Sequence, residues 1–300
     1  MKGLFFMTDR TKGYCLVALG AIFWGASGVA GQYLLHDKQF SAEWLVVVRL
    51  LCSGLILLSI DSVTHFGDIF TIWQNRLDRH QLLLFGVAGM LSVQYTYYAA
   101  IQHGNAATAT ILQYLMPVII VGYIAIRYKR CPQFLEIISI FLAMLGTLLL
   151  VTKGDFRSLA ISPLALFWGI TSAFSAAFYT IQPKGLLSRW RSPLVIGWGM
   201  LIGGVAMSPI APPWKFVGQF DLGAGLGLAF VIIFGTVIAF WAYLESIKYI
   251  LPTETSTIAS LEPFSAVFLS IILLNIPFGF MDYIGGLCIL STVFILAKKK

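Results

Sequence analysis

Apolar residues along this chain come in runs of twenty or more, separated by short polar stretches that carry most of the charges. Crossing a 30 Å hydrocarbon layer at 1.5 Å per residue takes about 20 mostly apolar residues. Residues 13–36, 158–183, 192–214 and 222–244 contain no Asp, Glu, Lys or Arg. Residues 80–126 are also free of them and are long enough for two spans, divided by the polar turn His103-Gly104-Asn105. With the weaker runs added, the pattern predicts an all-α membrane protein of ten transmembrane helices. They lie near 13–35, 42–60, 81–102, 106–126, 133–152, 160–185, 193–211, 223–247, 253–275 and 280–297. The first run exceeds the 7–15 residue apolar core of a cleaved signal, and no clear A-x-A site follows it, so it is expected to belong to the fold.

Composition removes the soluble alternatives. The chain is 58% hydrophobic and 11% charged, with a mean hydropathy of +0.85, whereas globular proteins carry about a quarter charged residues. Soluble enzymes, secreted disulfide scaffolds, coiled coils and disordered chains are thereby excluded. The four cysteines form no CxxC pair and read as small buried hydrophobes. The four histidines fall at segment ends or in loops and suggest no metal site. No cofactor is expected.

The net charge of +7 is spread at one to three basic residues per loop, with no basic stripe for nucleic acid. Those residues instead set an orientation. With the N-terminus inside, fifteen Lys and Arg fall on the inner side, among them Arg76, Arg127, Arg189 and Lys298. Four (Lys38, Lys153, Arg157, Lys215) fall outside, and Arg49 lies within a span. The positive-inside rule then places both termini in the cytoplasm; the expected location is a bacterial inner membrane, crossed several times.

The chain also resembles itself. Ile22-Phe23-Trp24-Gly25 recurs 144 residues later as Leu166-Phe167-Trp168-Gly169. Gly89, Tyr97, Ile101 and Pro117 recur at a spacing of 146 as Gly235, Tyr243, Ile247 and Pro263, and Glu136 and Asp282 keep that spacing. A common offset over four helices points to duplication. Five helices per copy is an odd number, so two inverted five-helix repeats are expected, at 12–152 and 158–297. Inverted repeats characterise secondary transporters, whose site lies near the midplane between the copies.

These residues, with Arg49, Tyr98-Ala99-Ala100 and Leu261-Glu262-Pro263, resemble the paired EamA domains of the drug/metabolite transporter superfamily. The resemblance covers about 12 to 297. It implies a ten-helix carrier of small metabolites such as amino acids, often moved outward, with helices 1, 3, 4, 6, 8 and 9 around the path. One departure is that helix four reads Met116-Pro117 where helix nine reads Glu262-Pro263.

Several residues could carry the chemistry. Pro117 and Pro263 sit near mid-helix and should free the carbonyls of Gln113 and Ala259, either as a substrate-facing kink or as a packing kink. Glu262 is the acid placed deep in a span, where insertion costs about 2.5–3.5 kcal/mol. It is read as holding a substrate ammonium, taking up a proton, or resting as a neutral carboxyl bound to backbone. Trp168, Ser172, Ser175, Tyr179 and Gln182 share one face of helix six; Gln94, Tyr98 and Gln102 share one of helix three; Trp241 and Glu245 lie four apart on helix eight. These faces should look inward, to line a pathway or to join helices. Trp24 and Trp168 lie inside helices, as cavity wall or as packing. Arg49 would snorkel, pair with an acid, or attract an anion.

The expectation is a secondary transporter working by alternating access, with a small-molecule substrate, membrane lipid and protons as partners, acting as monomer or homodimer. A membrane enzyme lacks a catalytic constellation in the spans, and a channel lacks a ring of repeated polar residues. A flippase of a lipid or lipid-linked intermediate could use the same fold.

Overall fold

The computed structural model describes residues 9–65, 69–155, 160–246, 248–250, 255 and 258–297. Among these the chain is helical, in the order α1 Asp9–His36, α2 Ala42–His65, α3 Arg76–His103, α4 Ala106–Arg127, α5 Phe134–Thr152, α6 Pro163–Leu187, α7 Ser192–Met207, α8 Leu222–Ser246, α9 Leu261–Leu274 and α10 Phe280–Ala297. Seven of them, α1 to α6 and α8, are long and apolar enough to cross a membrane; α7, α9 and α10 are shorter apolar helices. The upstream part of the span expected at 253–275 falls partly outside the described residues, as do Ile247, Arg157, Lys2 and Lys298 to Lys300.

Local sequence explains where the helices start. Asn75, Asn105 and Asp221 sit just before α3, α4 and α8, and each side chain accepts from the backbone N–H groups of the first turn, as at Thr108 N and Ala224 N, both 2.8 Å away. Pro163 and Pro193 stand in the first turns of α6 and α7, where a missing N–H is harmless. Glu136 and Asp282, the acids that keep the 146 spacing, are caps. Glu136 accepts from Gln133 N at 2.7 Å and Asp282 from Gly279 N at 2.8 Å, and Gln133 and Gly279 are themselves 146 apart.

Two features interrupt the helices. Residues Phe85–Leu91 of α3 and Ile233–Ile238 of α8 are π-helical, and Gly89 and Gly235, one repeat apart, lie in these segments. In α4 the chain turns at Tyr114 and Leu115 and resumes at Met116. In α9 it resumes at Leu261, directly after Ser260. Pro117 and Pro263 thus stand in the first turn of a restarted helix, so each is a break where the sequence predicted a kink in a continuous helix.

Packing pairs α2 with α7, α5 with α10, α3 with α6, and α1 with both α8 and α9; α4 lies against α6 and α9. Glycines allow the closest approaches. A methyl at Gly146 would lie 2.6 Å from the Gly285 carbonyl oxygen, and one at Gly285 would lie 2.8 Å from that of Gly146, which brings α5 and α10 into backbone contact. Gly54 and the Gly197 carbonyl do the same for α2 and α7. Large apolar side chains such as Leu55, Phe141, Phe174, Leu226 and Phe268 are exposed, a surface suited to lipid and not to water. Cys15 and Cys131 are exposed and Cys52 and Cys288 half-buried, all four free. The reading of cysteines as buried small hydrophobes fails for the first two: Cys15 lies on the surface of α1, where an apolar thiol costs nothing against lipid, and Cys131 lies in the loop before α5.

Loops meet at the two ends of the bundle. At one end Lys38 pairs with Asp221 (2.6 Å), Trp44 donates to the Pro213 carbonyl, and Lys153 pairs with Asp282. At the other, Arg191 grips buried Asp61, Arg189 and Trp190 both bind buried Asp78, and Trp198 donates to the Ile69 carbonyl. Outside the spans, the Lys38 ammonium beside it holds the Asp221 carboxyl below the usual carboxylate range, helped by the Ala224 N–H.

Candidate functional site

Arg49 of α2 is 5% exposed and sits among neutral acceptors. Its Nε donates to Thr236 Oγ1 (2.7 Å), Nη1 to Gln94 Oε1 (2.9 Å) and to the Tyr98 hydroxyl (2.8 Å), and Nη2 to the Gly235 carbonyl (3.2 Å). It also lies 5.3 Å from the centre of the Tyr98 ring. The expectation that this arginine snorkels or pairs with an acid is corrected: it neither leaves the protein nor meets a carboxylate. The π segment of α8 provides part of this cradle. Thr236 donates to Val231 O, five residues back, at 2.9 Å, which turns its oxygen toward Arg49. Gln94 and Tyr98, expected on an inward face of α3, do face the interior, and there they serve Arg49.

The two helix breaks meet through one side chain. The Tyr114 hydroxyl, at the α4 break, is shared between the Ala259 carbonyl (3.0 Å) and Glu262 Oε2 (3.1 Å) of the α9 break. The carbonyl that Pro263 was expected to free is therefore satisfied from the opposite matched helix. Glu262 is half-buried. Its backbone lies against α1, where a methyl on Gly25 would be 2.5 Å from the Glu262 carbonyl oxygen. Beside Gly25, the Trp24 ring packs on Phe240 (5.1 Å) and Tyr243 (5.3 Å).

The helix-six face is also interior. Gln113 donates to Ser172 (2.7 Å), Ser175 shares a hydrogen bond with Ser92 (2.7 Å), Tyr179 stacks on Phe85 at 5.6 Å, and Trp168 meets Tyr95 edge-on at 5.4 Å. Gln182 lies at the helix end and donates to Gln81 O. Gln102 likewise serves the backbone, accepting from Ala42 N. Trp241 is a second correction: it is 52% exposed, so the face it was assigned to does not look inward there. Alternate positions of α8 take that role, since Phe240 and Tyr243 pack on Trp24. Glu245 pairs with Lys248 at 2.6 Å near the helix end.

Four participants were not singled out from sequence, namely Tyr114, Thr236, Tyr95 and Tyr243 as a ring against Trp24. Tyr114 carried a signal, since it adjoins Gln113 and stands at the repeat position of Ser260. Thr236 had only its place beside Gly235 in an apolar run, which is weak.

A bundle of apolar helices that buries an arginine among α2, α3 and α8 and rests a glutamate on a phenol where α4 and α9 break has the interior of a membrane transporter. Comparison with known proteins agrees. The EamA-like transporter family model matches residues 11–152 and again 163–298. The chain is 41% identical over 293 residues to "Uncharacterized inner membrane transporter YicL" of Salmonella typhimurium, covering 97% of both. It is 27% identical to "Uncharacterized transporter YetK" of Bacillus subtilis, over 96% of this chain and 87% of that one. One solved crystal structure superposes with a TM-score of 0.64 over 95% of this chain and 96% of its own at 13% identity, a likeness of fold alone. The chain belongs to the EamA-like transporter family: it is a multi-pass membrane transporter and not an enzyme.

Proposed function

We propose that this transporter is a secondary carrier of a small metabolite, an amino acid or a related compound, moved outward across the bacterial inner membrane by alternating access. Its working unit is ten crossings in two inverted five-helix halves, 12–152 and 158–297, with both termini cytoplasmic. The pairing of helices supports this, because α2·α7 and α5·α10 join each helix to its repeat counterpart, while α3·α6 exchanges with α8·α1 and α4·α6 with α9·α1. The loop contacts support it as well. Every contact at the bundle ends described above joins loops or helix ends that alternate crossing puts on the same side. The matching "inner membrane" in the YicL name supports the compartment.

The observation that carries the mechanism is the Tyr114–Glu262 contact. An acid of the second half rests on a phenol from the first, at the point where both helices break. Rocking of the halves separates that phenol from the carboxylate, and a proton or a substrate ammonium then takes its place. Where a proton takes that place, transport is coupled to protons, and the path runs past Trp24, Gln113, Ser172, Ser175, Tyr179 and the two prolines. Arg49 links α2, α3 and α8 and holds the frame against which the halves move.

The test is counterflow in proteoliposomes, with a panel of amino acids offered at symmetric pH and then under an imposed proton gradient. Saturable exchange that the gradient accelerates is the expected outcome. Movement of labelled lipid without amino-acid exchange would replace this reading by a flippase.

A further inference from the structure

Between α9 and α10 lies an apolar cavity of about 480 Å³. Pro263, Val267 and Phe268 wall it on α9, Gly286 and Leu287 on α10, and fully buried Ile111 of α4 forms its floor. Phe268 and Leu287 are exposed, so the cavity opens on the lateral surface of the bundle. α10 lies along α5, a helix long and apolar enough to cross a membrane, which puts the opening at bilayer depth. Gly286 makes the room. A methyl there would meet the Ile111 side chain at 3.3 Å and, among the described residues outside its own turn, nothing else within 4 Å. At the repeat position α5 carries Ile140.

One end of the cavity is polar. Asp282, in the first turn of α10, and Phe278, in the corner before it, line that end. The exposed Lys153 ammonium lies 3.3 Å from the Asp282 carboxylate, a contact that takes one of its three N–H groups. The other end reaches Pro263, where α9 resumes. From Pro263 to Ile271, both lining residues, α9 rises about 12 Å, and half of a bilayer's hydrocarbon core is about 15 Å deep. An apolar slot of one leaflet's depth with an ammonium at its polar end fits an amphiphile. Its hydrocarbon supplies the dispersion contacts that an empty slot would lack, and its anionic head takes a charge-assisted hydrogen bond from Lys153. A second copy of the chain fits less well. Helices approach one another closely through small residues, whereas this rim carries Phe264, Phe268 and Tyr283, and only a flexible chain passes between them.

We propose that this cavity binds one acyl chain of a bilayer phospholipid whose phosphate rests on Lys153. The proposal goes beyond the carrier reading and needs only that the protein crosses the membrane. The bound chain fills the gap between α10 and the restarted part of α9, the helix that carries Glu262.

Photocrosslinking of the full-length protein in proteoliposomes tests it, using a trace of phosphatidylethanolamine with a diazirine on one acyl chain and peptide mass spectrometry to locate the label. Labelling of α9 and α10 at least fivefold above that of the exposed α5 face at Phe141 and Met144 is expected. Gly286→Leu and Val267→Phe, which fill the cavity, should each cut it at least fivefold, with α5 labelling and the melting temperature as in the parent. Lys153→Gln should cut it about threefold for this probe and leave labelling by a diacylglycerol of the same chain unchanged. Even labelling of the two faces, or parent-level labelling in a folded cavity-filling variant, would overturn the site; should Gly286→Leu fail to fold, Val267→Phe decides in the same way. Parent-level labelling together with a dimer that falls apart on filling would give the face to a second copy instead. Equal loss of both probes, or of neither, in Lys153→Gln would overturn the phosphate contact.

Discussion

In α4 the chain halts at Tyr114 and Leu115 and resumes with Met116-Pro117; in α9 it resumes after Ser260 with Leu261, Glu262 and Pro263. The two breaks share backbone geometry, since the proline sits in the restarted first turn in both. They do not share chemistry. One presents a thioether and a phenol, the other a carboxylate and a small hydroxyl. The same holds for Arg49, whose repeat position is the buried, apolar Val195. The two halves therefore share a frame, and each of these interior charges stands in one half only, in a different matched stretch. Each is bound across the seam as well: Arg49 by Thr236 and Gly235, and Glu262 by Tyr114.

The largest test of this asymmetry is to erase the arginine. Interhelical hydrogen bonds in membranes are worth about 0.6 kcal/mol each on average, and orphaning a buried partner adds to that. Arg49→Leu should cost about 3 kcal/mol, read as a fall of several degrees in a thermal melt in detergent. Val195→Leu, at the fully buried apolar counterpart, adds a single methylene and should cost less, about 1 kcal/mol through overpacking. Equal losses at the two positions would mean that Arg49 is ordinary packing.

Next in size is the acid. Glu262→Gln keeps an oxygen for Tyr114 but cannot exchange a proton, so it should abolish the acceleration of transport by a proton gradient while the melting temperature stays within a few degrees. Gradient-driven exchange at the parent rate in a folded Glu262→Gln would remove the coupling role.

The glycines after the repeated tryptophans sharpen the comparison further. A methyl at Gly25 meets backbone, the Glu262 carbonyl oxygen at 2.5 Å and Ala266 N at 2.8 Å, whereas one at Gly169 meets only the side chain of Leu112. Backbone cannot step aside. Gly25→Ala should therefore cost about 1–3 kcal/mol through overpacking, and Gly169→Ala less, because the Leu112 rotamer can shift. Matching melting temperatures for the pair would show that α1 and α6 pack equivalently.

The contrast also explains what could be read from sequence. Charge-free runs predicted the helices because lipid leaves few other places for them, and the 146 spacing of Gly89, Tyr97 and Pro117 announced the repeat. Glu136 and Asp282 belonged to that spacing for a local reason, as caps of α5 and α10. Backbone irregularity was harder: a single Gly89 or Gly235 in an apolar run does not announce a π segment, and a proline does not say whether its helix bends or stops. Partner choice was hardest. Arg49 settled among amide, hydroxyl and carbonyl groups from two other helices, which no periodicity within one helix encodes. Trp241 was misplaced because two polar-looking residues four apart fix a shared face but not which way it points.

The smallest expected effect lies outside the spans, where Lys38 and Asp221 join the loop after α1 to the start of α8. The Lys38 ammonium and the Ala224 N–H hold the Asp221 carboxyl below its ordinary value of 3.8, and the hydrogen bond to Asp221 raises Lys38 above its ordinary 10.5. A depressed carboxyl contributes its stabilisation fully above the ordinary value and loses it as pH falls through the lowered one; a raised amine contributes below 10.5 and loses it as pH climbs through the raised value. The pair is thus complete from about pH 4 to about pH 10 and opens on either side. Hydrogen exchange at the Ala224 amide, which Asp221 caps at 2.8 Å, should stay slow across that window and quicken below it beyond the intrinsic pH trend. In Asp221→Asn the added acid response should vanish, since the amide still caps the helix but does not titrate. An unchanged acid response in that variant would assign the fraying to another group at this end of the bundle.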